Sequence, residues 1–130
     1  MLSCDECRPP ILPFFFMNIL VWNSRGVLKP NFQEYVRELV RVHNPAILVI
    51  IETKLGGERA KGITDRLPFD GAIHTETIGY AGGLWLLWNS DLVEVVQLAN
   101  TEQEIHVEVK VLASNLSWIL FVAYSSPRST

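Results

Sequence analysis

An α/β fold is predicted, a partial α/β sandwich in which a βαβ unit leads into antiparallel strands. Three features of the sequence predict it. Two short apolar runs, 18–22 and 46–51, flank a segment with helical periodicity. From residue 71 onward, apolar runs of strand length alternate with Gly, Asn, Ser and Asp turns. One helix between two strands, followed by strands alone, fits a sandwich better than a doubly wound sheet.

The first run, Asn18-Ile19-Leu20-Val21-Trp22, ends at Asn23, and the second, Ala46-Ile47-Leu48-Val49-Ile50-Ile51, ends at Glu52. Between them Phe32, Tyr35, Val36, Leu39, Val40 and His43 recur every three or four residues, which puts one stripe against a sheet. Asn31 is expected to cap this helix, with Glu34 three residues on reaching back. Asn44-Pro45 stops it, because the residue before a proline is pushed out of the helical region. Strand, helix, strand makes a parallel, right-handed crossover. Paired strands lie about 4.8 Å apart. Asn23 and Glu52 then emerge side by side at the carboxyl edge, where open α/β sheets place ligands.

Gly56-Gly57 opens a polar loop, and a short helix is expected over 58–67, ended by Pro68. A strand over 71–78 places His74 and Glu76 on one face. Gly79 and Gly82-Gly83 then mark a turn into the apolar strand 84–88, which makes a hairpin. Asn89-Ser90-Asp91 turns into a strand over 92–98, broken at Asn100-Thr101. In 104–111, Ile105, Val107, Val109 and Val111 point inward, and Glu104, His106, Glu108 and Lys110 point to water. After Ser114-Asn115, residues 116–124 are apolar enough to predict a strand covered on both faces.

At 130 residues, 48% hydrophobic and 19% charged, the chain is one globular domain. Its net charge of −3 argues against a surface that grips nucleic acid all round, but leaves room for a local basic groove. Lys54, Arg59, Lys61 and Arg66 fall close together and read first as a solvated face. Cys4 and Cys7 form a lone Cys-x-x-Cys pair, half of a zinc site or a redox motif without its fold. The apolar stretch from Ile11 to Trp22 is too short for a membrane span and lacks a signal-peptide cleavage site. Residues 1–16 are expected to be a disordered leader outside the fold, and 17–130 the domain. No phosphate loop, His-Glu-x-x-His or Gly-x-Ser-x-Gly motif occurs.

Several stretches, in this order and spacing, resemble the opening of the endonuclease/exonuclease/phosphatase superfamily. They are Ile19-Leu20-Val21-Trp22-Asn23-Ser24-Arg25-Gly26, then Asn44-Pro45-Ala46-Ile47-Leu48 with Glu52-Thr53-Lys54-Leu55. Gly82-Gly83-Leu84-Trp85-Leu86-Leu87-Trp88 and Val122-Ala123-Tyr124-Ser125-Ser126-Pro127 extend the match. The apurinic-type endonuclease domain of LINE (non-LTR) retrotransposons is the nearest look, over residues 17–128. The resemblance implies half of a four-layer α/β/β/α nuclease fold and Mg²⁺-dependent cleavage of DNA phosphodiesters, with Mn²⁺ as an alternative ion. It implies Glu52 as metal ligand, Asn23 orienting the metal or the attacking water, and Tyr124 offering a hydroxyl to the scissile phosphate. Arg25, where the DNA-repair branch carries an acid, and Lys54 are weaker phosphate contacts. Read singly, Asn23 is a turn former, Glu52 a capping acid and Arg25 a solvated turn residue. A nuclear or cytoplasmic protein, not secreted and with no membrane partner, is implied as well.

The Gly-Asp-x-Asn and Ser-Asp-His motifs that complete the family's site are absent. Ser90-Asp91 continues with Leu92, and His43, His74 and His106 stand in other contexts. Acid–base groups supply ~10²–10⁴-fold each, so little or no activity is expected of this segment alone. An uncovered apolar sheet face is expected, satisfied by the missing second half or by self-association. Two other readings stand beside this one: a different phosphodiesterase or phosphatase of the superfamily, and a non-catalytic module that keeps the sheet.

Overall fold

The computed structural model describes residues 18–75, 82–101 and 103–123. The expected leader, Cys4, Cys7 and Tyr124 lie outside them. The first strand, β1 (Ile19–Asn23), leads through a loop into helix α1 (Phe32–His43) and then strand β2 (Ile47–Ile51). Helix α2 (Gly57–Thr64) precedes five more strands: β3 (Gly71–His74), β4 (Leu84–Trp88), β5 (Val93–Asn100), β6 (Glu104–Val111) and β7 (Leu116–Ala123).

These strands form two sheets. The first has the order β1-β2-β4-β3, with β1 and β2 parallel and the other pairs antiparallel. The second is the antiparallel meander β5-β6-β7. Strand alternation divides the core in two. Leu20, Trp22, Leu48, Ile50, Trp85 and Leu87 face the helices, where Phe32, Val36 and Leu39 of α1 and Ala60 of α2 meet them. Ile47, Val49, Leu84 and Leu86 face the other way, onto Val93, Ile105, Val107 and Val109 of the second sheet. The layers run helices, sheet, sheet.

Helix α1 is seated as its stripe requires. The residue that caps its C-terminus, Asn44, is left-handed, with φ 46°, and donates its N–H to the Val40 carbonyl at 2.8 Å. Asn18 Nδ2 donates to the His43 carbonyl at 2.7 Å, which ties the helix end to the start of β1. The capping box does not form: Asn31 makes no side-chain cap bond.

Four further expectations are corrected. Helix α2 ends at Thr64, and the Arg66 and Leu67 N–H groups turn back to Ile63 and Thr64. Strand β3 stops at His74, and residues 76–81 lie outside those described. Strand β5 reaches Asn100 and carries an irregularity between Gln97 and Ala99. Strand β7 is not covered on both faces. Trp118, Leu120 and Val122 pack inward, half-buried, while Ile119 and Phe121 are 59% and 54% exposed. The reason is tertiary: β7 is an edge strand of the outermost layer described.

The inner face of the first sheet is not open either. The second sheet packs onto Ile47, Val49, Leu84 and Leu86, and leaves Ile19, Val21, Ile51 and Trp88 partly buried at its margin. Among the described residues, no helix is long and apolar enough to cross a membrane.

Candidate active site

Asn23 and Glu52 stand at the carboxyl ends of the adjacent parallel strands β1 and β2. Strand alternation alone would separate them. Asn23 pairs with Ile51 and shares the intersheet side with Ile19 and Val21. The next residue, Glu52, falls in period with Leu48 and Ile50, on the helix side. The backbone overrides the period. Glu52 is left-handed, with φ 56°, which ends the strand and brings its carboxylate to Asn23. Asn23 Nδ2 donates to Glu52 Oε2 at 3.3 Å, and Asn23 Oδ1 accepts the Arg25 N–H at 2.9 Å. The amide is thus held at both ends.

Ser24 builds the floor. It is 1% exposed, and its N–H donates to the Ile51 carbonyl at 3.0 Å. Its hydroxyl lies 3.2 Å from the carbonyls of both Ile51 and Glu52, and accepts the Gly26 N–H at 3.2 Å. Sequence reasoning missed this residue. A serine after a strand-end asparagine reads as a turn, and no spacing pointed to Ser24.

The loop after Glu52 is locked by strand β4 and the two glycines that precede it. Thr53 and Lys54 donate their N–H groups to Gly83 and Gly82 at 3.3 and 2.7 Å, and Trp85 Nε1 donates to the Leu55 carbonyl at 3.0 Å. The Val27 N–H reaches the Thr53 carbonyl at 3.2 Å, so the loops after β1 and β2 lean on each other. The Gly-Gly-Leu-Trp stretch therefore serves the site as a support.

Arg25 and Lys54 are exposed, one on each of these loops. Lys54 Cδ lies 3.7 Å from where a Cβ on Gly26 would stand, so the lysine stem runs over the first loop. Arg25 and Lys54 are also left-handed, at φ 57° and 60°. A non-glycine residue in that region costs about 1–2 kcal/mol, and three around one strand edge mark a place where backbone comfort is given up. The structure thus brings together Asn23, Glu52, Arg25 and Lys54. Tyr124 lies outside the described residues.

An amide and one carboxylate suit a hard cation that keeps most of its waters, as Mg²⁺ does with one or two protein carboxylates. They do not make a closed cage. Among the described residues, no three His, Cys, Asp or Glu side chains cluster as a metal centre.

No protein-family model matches the sequence, and no curated protein matches it. Solved structures do. An AP endonuclease, LMAP, from Leishmania major superposes with a TM-score of 0.58 at 15% identity, over 94% of this chain and 46% of its own. TDP2 from D. rerio, solved with a single-strand DNA product, superposes with a TM-score of 0.52 at 17% identity, over 79% of this chain and 43% of its own. Both have the fold of one superfamily. The chain has the endonuclease/exonuclease/phosphatase fold. It spans less than half the length of either neighbour. The mixed α/β sandwich with helices on one sheet is a partial version of that endonuclease/exonuclease/phosphatase architecture.

Proposed function

We propose that this chain is the amino-terminal part of a Mg²⁺-dependent DNA phosphodiesterase, an endonuclease of the LINE retrotransposon kind. The observation that carries the proposal is the meeting of Asn23 and Glu52 at 3.3 Å across two parallel strand tips, against alternation. Both neighbours in fold are named for DNA chemistry, one an AP endonuclease and one holding a DNA product, which supports the reading.

In this reading Glu52 holds Mg²⁺, or Mn²⁺ in its place, and Asn23 keeps the carboxylate turned toward the substrate. A bound divalent ion neutralises charge that develops on the phosphate during in-line displacement. Arg25 and Lys54 fix phosphates on either side, contacts that position without reading sequence. Tyr124 supplies a hydroxyl to the scissile phosphate. The general base and the remaining polar groups come from a complementary half of the domain, so this chain alone is weakly active or silent.

Nicking of supercoiled plasmid tests the reading. Adding the complementary half is expected to raise Mg²⁺-dependent nicking well above background, and Glu52→Gln to return it to background. Nicking by the Glu52→Gln protein at the unsubstituted rate would remove Glu52 from the chemistry. Calorimetric titration of the chain with Mg²⁺ separates this reading from a non-catalytic module: no heat of binding, with the sheets intact, favours the module.

A further inference from the structure

A cleft of about 610 Å³ lies between the 27–30 loop, the first turns of α1 and one side of α2. Phe32 and Ile63 give it an apolar lining, and its charge is one-sided. Lys29, Arg37, Arg59 and Arg66 line it against a single carboxylate, Glu34. Among the described residues, Arg37, Arg59 and Arg66 make no ion pair. The basic residues clustered after β2 in the sequence are thus divided by the fold. Lys61 pairs with Asp65 at 3.1 Å, while Arg59 and Arg66 turn into the cleft.

The spacing suits a polymer. Arg59, Gly62, Ile63 and Arg66 recur as i, i+3, i+4 and i+7 along α2 and the turn after it. Arg59 stands on the helix and Arg66 in the turn that follows it, so the row offers two separate cations along one wall of the cleft, as a chain of phosphates would need. Arginine forks bind phosphate oxygens two at a time, which a diffuse lysine surface does not do. The cleft is also coupled to the site. Lys29 Nζ donates to the Ser24 carbonyl at 2.6 Å, so its entrance is tied to the residue beside Asn23.

We infer that the α1–α2 cleft holds the phosphodiester backbone of the DNA strand whose reacting phosphate sits at Asn23 and Glu52. The inference rests on the phosphodiesterase reading for the direction of that strand, but the binding it requires does not depend on turnover. Gly62 offers a clean probe. Gly62 lines the cleft, and a Cβ there would meet nothing within 4 Å, so a side chain can be added at its wall without displacing a neighbour.

The test is fluorescence anisotropy of a labelled single-stranded oligodeoxynucleotide with the 130-residue chain in EDTA. Gly62→Glu is expected to weaken binding about tenfold or more, while Gly62→Ala leaves it unchanged. Arg59→Ala with Arg66→Ala, both at exposed side chains, is expected to lower the slope of log affinity against log salt by about 2. The double variant also carries the test if Gly62→Glu does not fold. Absence of oligonucleotide binding, or equal binding by the folded variants, overturns the inference. Displacement by poly-glutamate as effective as by DNA overturns the phosphodiester assignment. EDTA keeps the outcome separate from the nuclease reading, which stands or falls on Glu52→Gln in the plasmid assay.

Discussion

Ser24 holds two carbonyls and one N–H of the strand edge from a position shielded from solvent. Removing a hydroxyl that satisfies buried backbone costs about 1–3 kcal/mol. Ser24→Ala is therefore expected to lower stability by that amount in urea titration, with the Asn23 and Glu52 resonances broadened or shifted by NMR. Arg25 illustrates the opposite sign. Its left-handed backbone is one a glycine adopts freely, so Arg25→Gly is expected to raise stability by about 0.5–1 kcal/mol, the strain relieved less the extra chain entropy of glycine. His74 sets a pH dependence. Burial holds its imidazole below the ordinary value, with the Asp65 carboxylate opposing and Lys61 reinforcing. Its Nε2 meets Thr64 Oγ1 at 3.1 Å and its ring stands edge-on to Trp85. A depressed histidine binds more protons unfolded than folded, so its contribution is full above the unfolded pKa of about 6.5 and is lost as pH falls below it. Stability followed from pH 7.5 down to 5 is expected to fall, and His74→Gln to flatten that slope.

At the scale of elements, β3 and β4 show how a glycine sets a crossing. Gly71 pairs with Trp88, and a Cβ on Gly71 would run into the indole. The ring occupies the space a side chain would need. Gly71→Ala is expected to cost about 1–3 kcal/mol, as overpacking does, and to show as a lowered urea midpoint with an unchanged m-value. This glycine was legible in the sequence only as the start of a strand; that it accommodates Trp88 depends on register. The helix stripe of α1 was fully legible, because a 3.6-residue period with a wide apolar face is a local property. Its capping box was not, since Asn31 and Glu34 have the right spacing but the Asn31 backbone, at φ −107° and ψ 22°, is outside the extended region that a capping side chain needs.

For the whole molecule, the second sheet has one inner and one outer face. Ile105 is fully buried between the sheets, whereas Ile119, on the adjacent strand β7, points outward and is 59% exposed. Chemical denaturation is expected to separate them. Ile105→Ala costs about 2–5 kcal/mol, and Ile119→Ala stays within about 0.5 kcal/mol. Equal losses at the two positions would mean that the outer face is covered too. The apolar run 116–124 suggested a doubly buried strand, because composition reports how apolar a segment is and not how many layers surround it.

From its sequence alone this protein declared a βαβ opening, an antiparallel remainder, and an asparagine and a glutamate at two strand ends. These follow from period, turn chemistry and strand length, which act over a few residues. Tertiary structure alone decided that the strands divide into two sheets and that the Gly-Gly-Leu-Trp stretch braces the loop after Glu52. It also decided that a left-handed residue carries Glu52 across the sheet to Asn23. A side chain's face is set by alternation until the backbone leaves the extended region, and what holds it there is contact with residues far away in the chain.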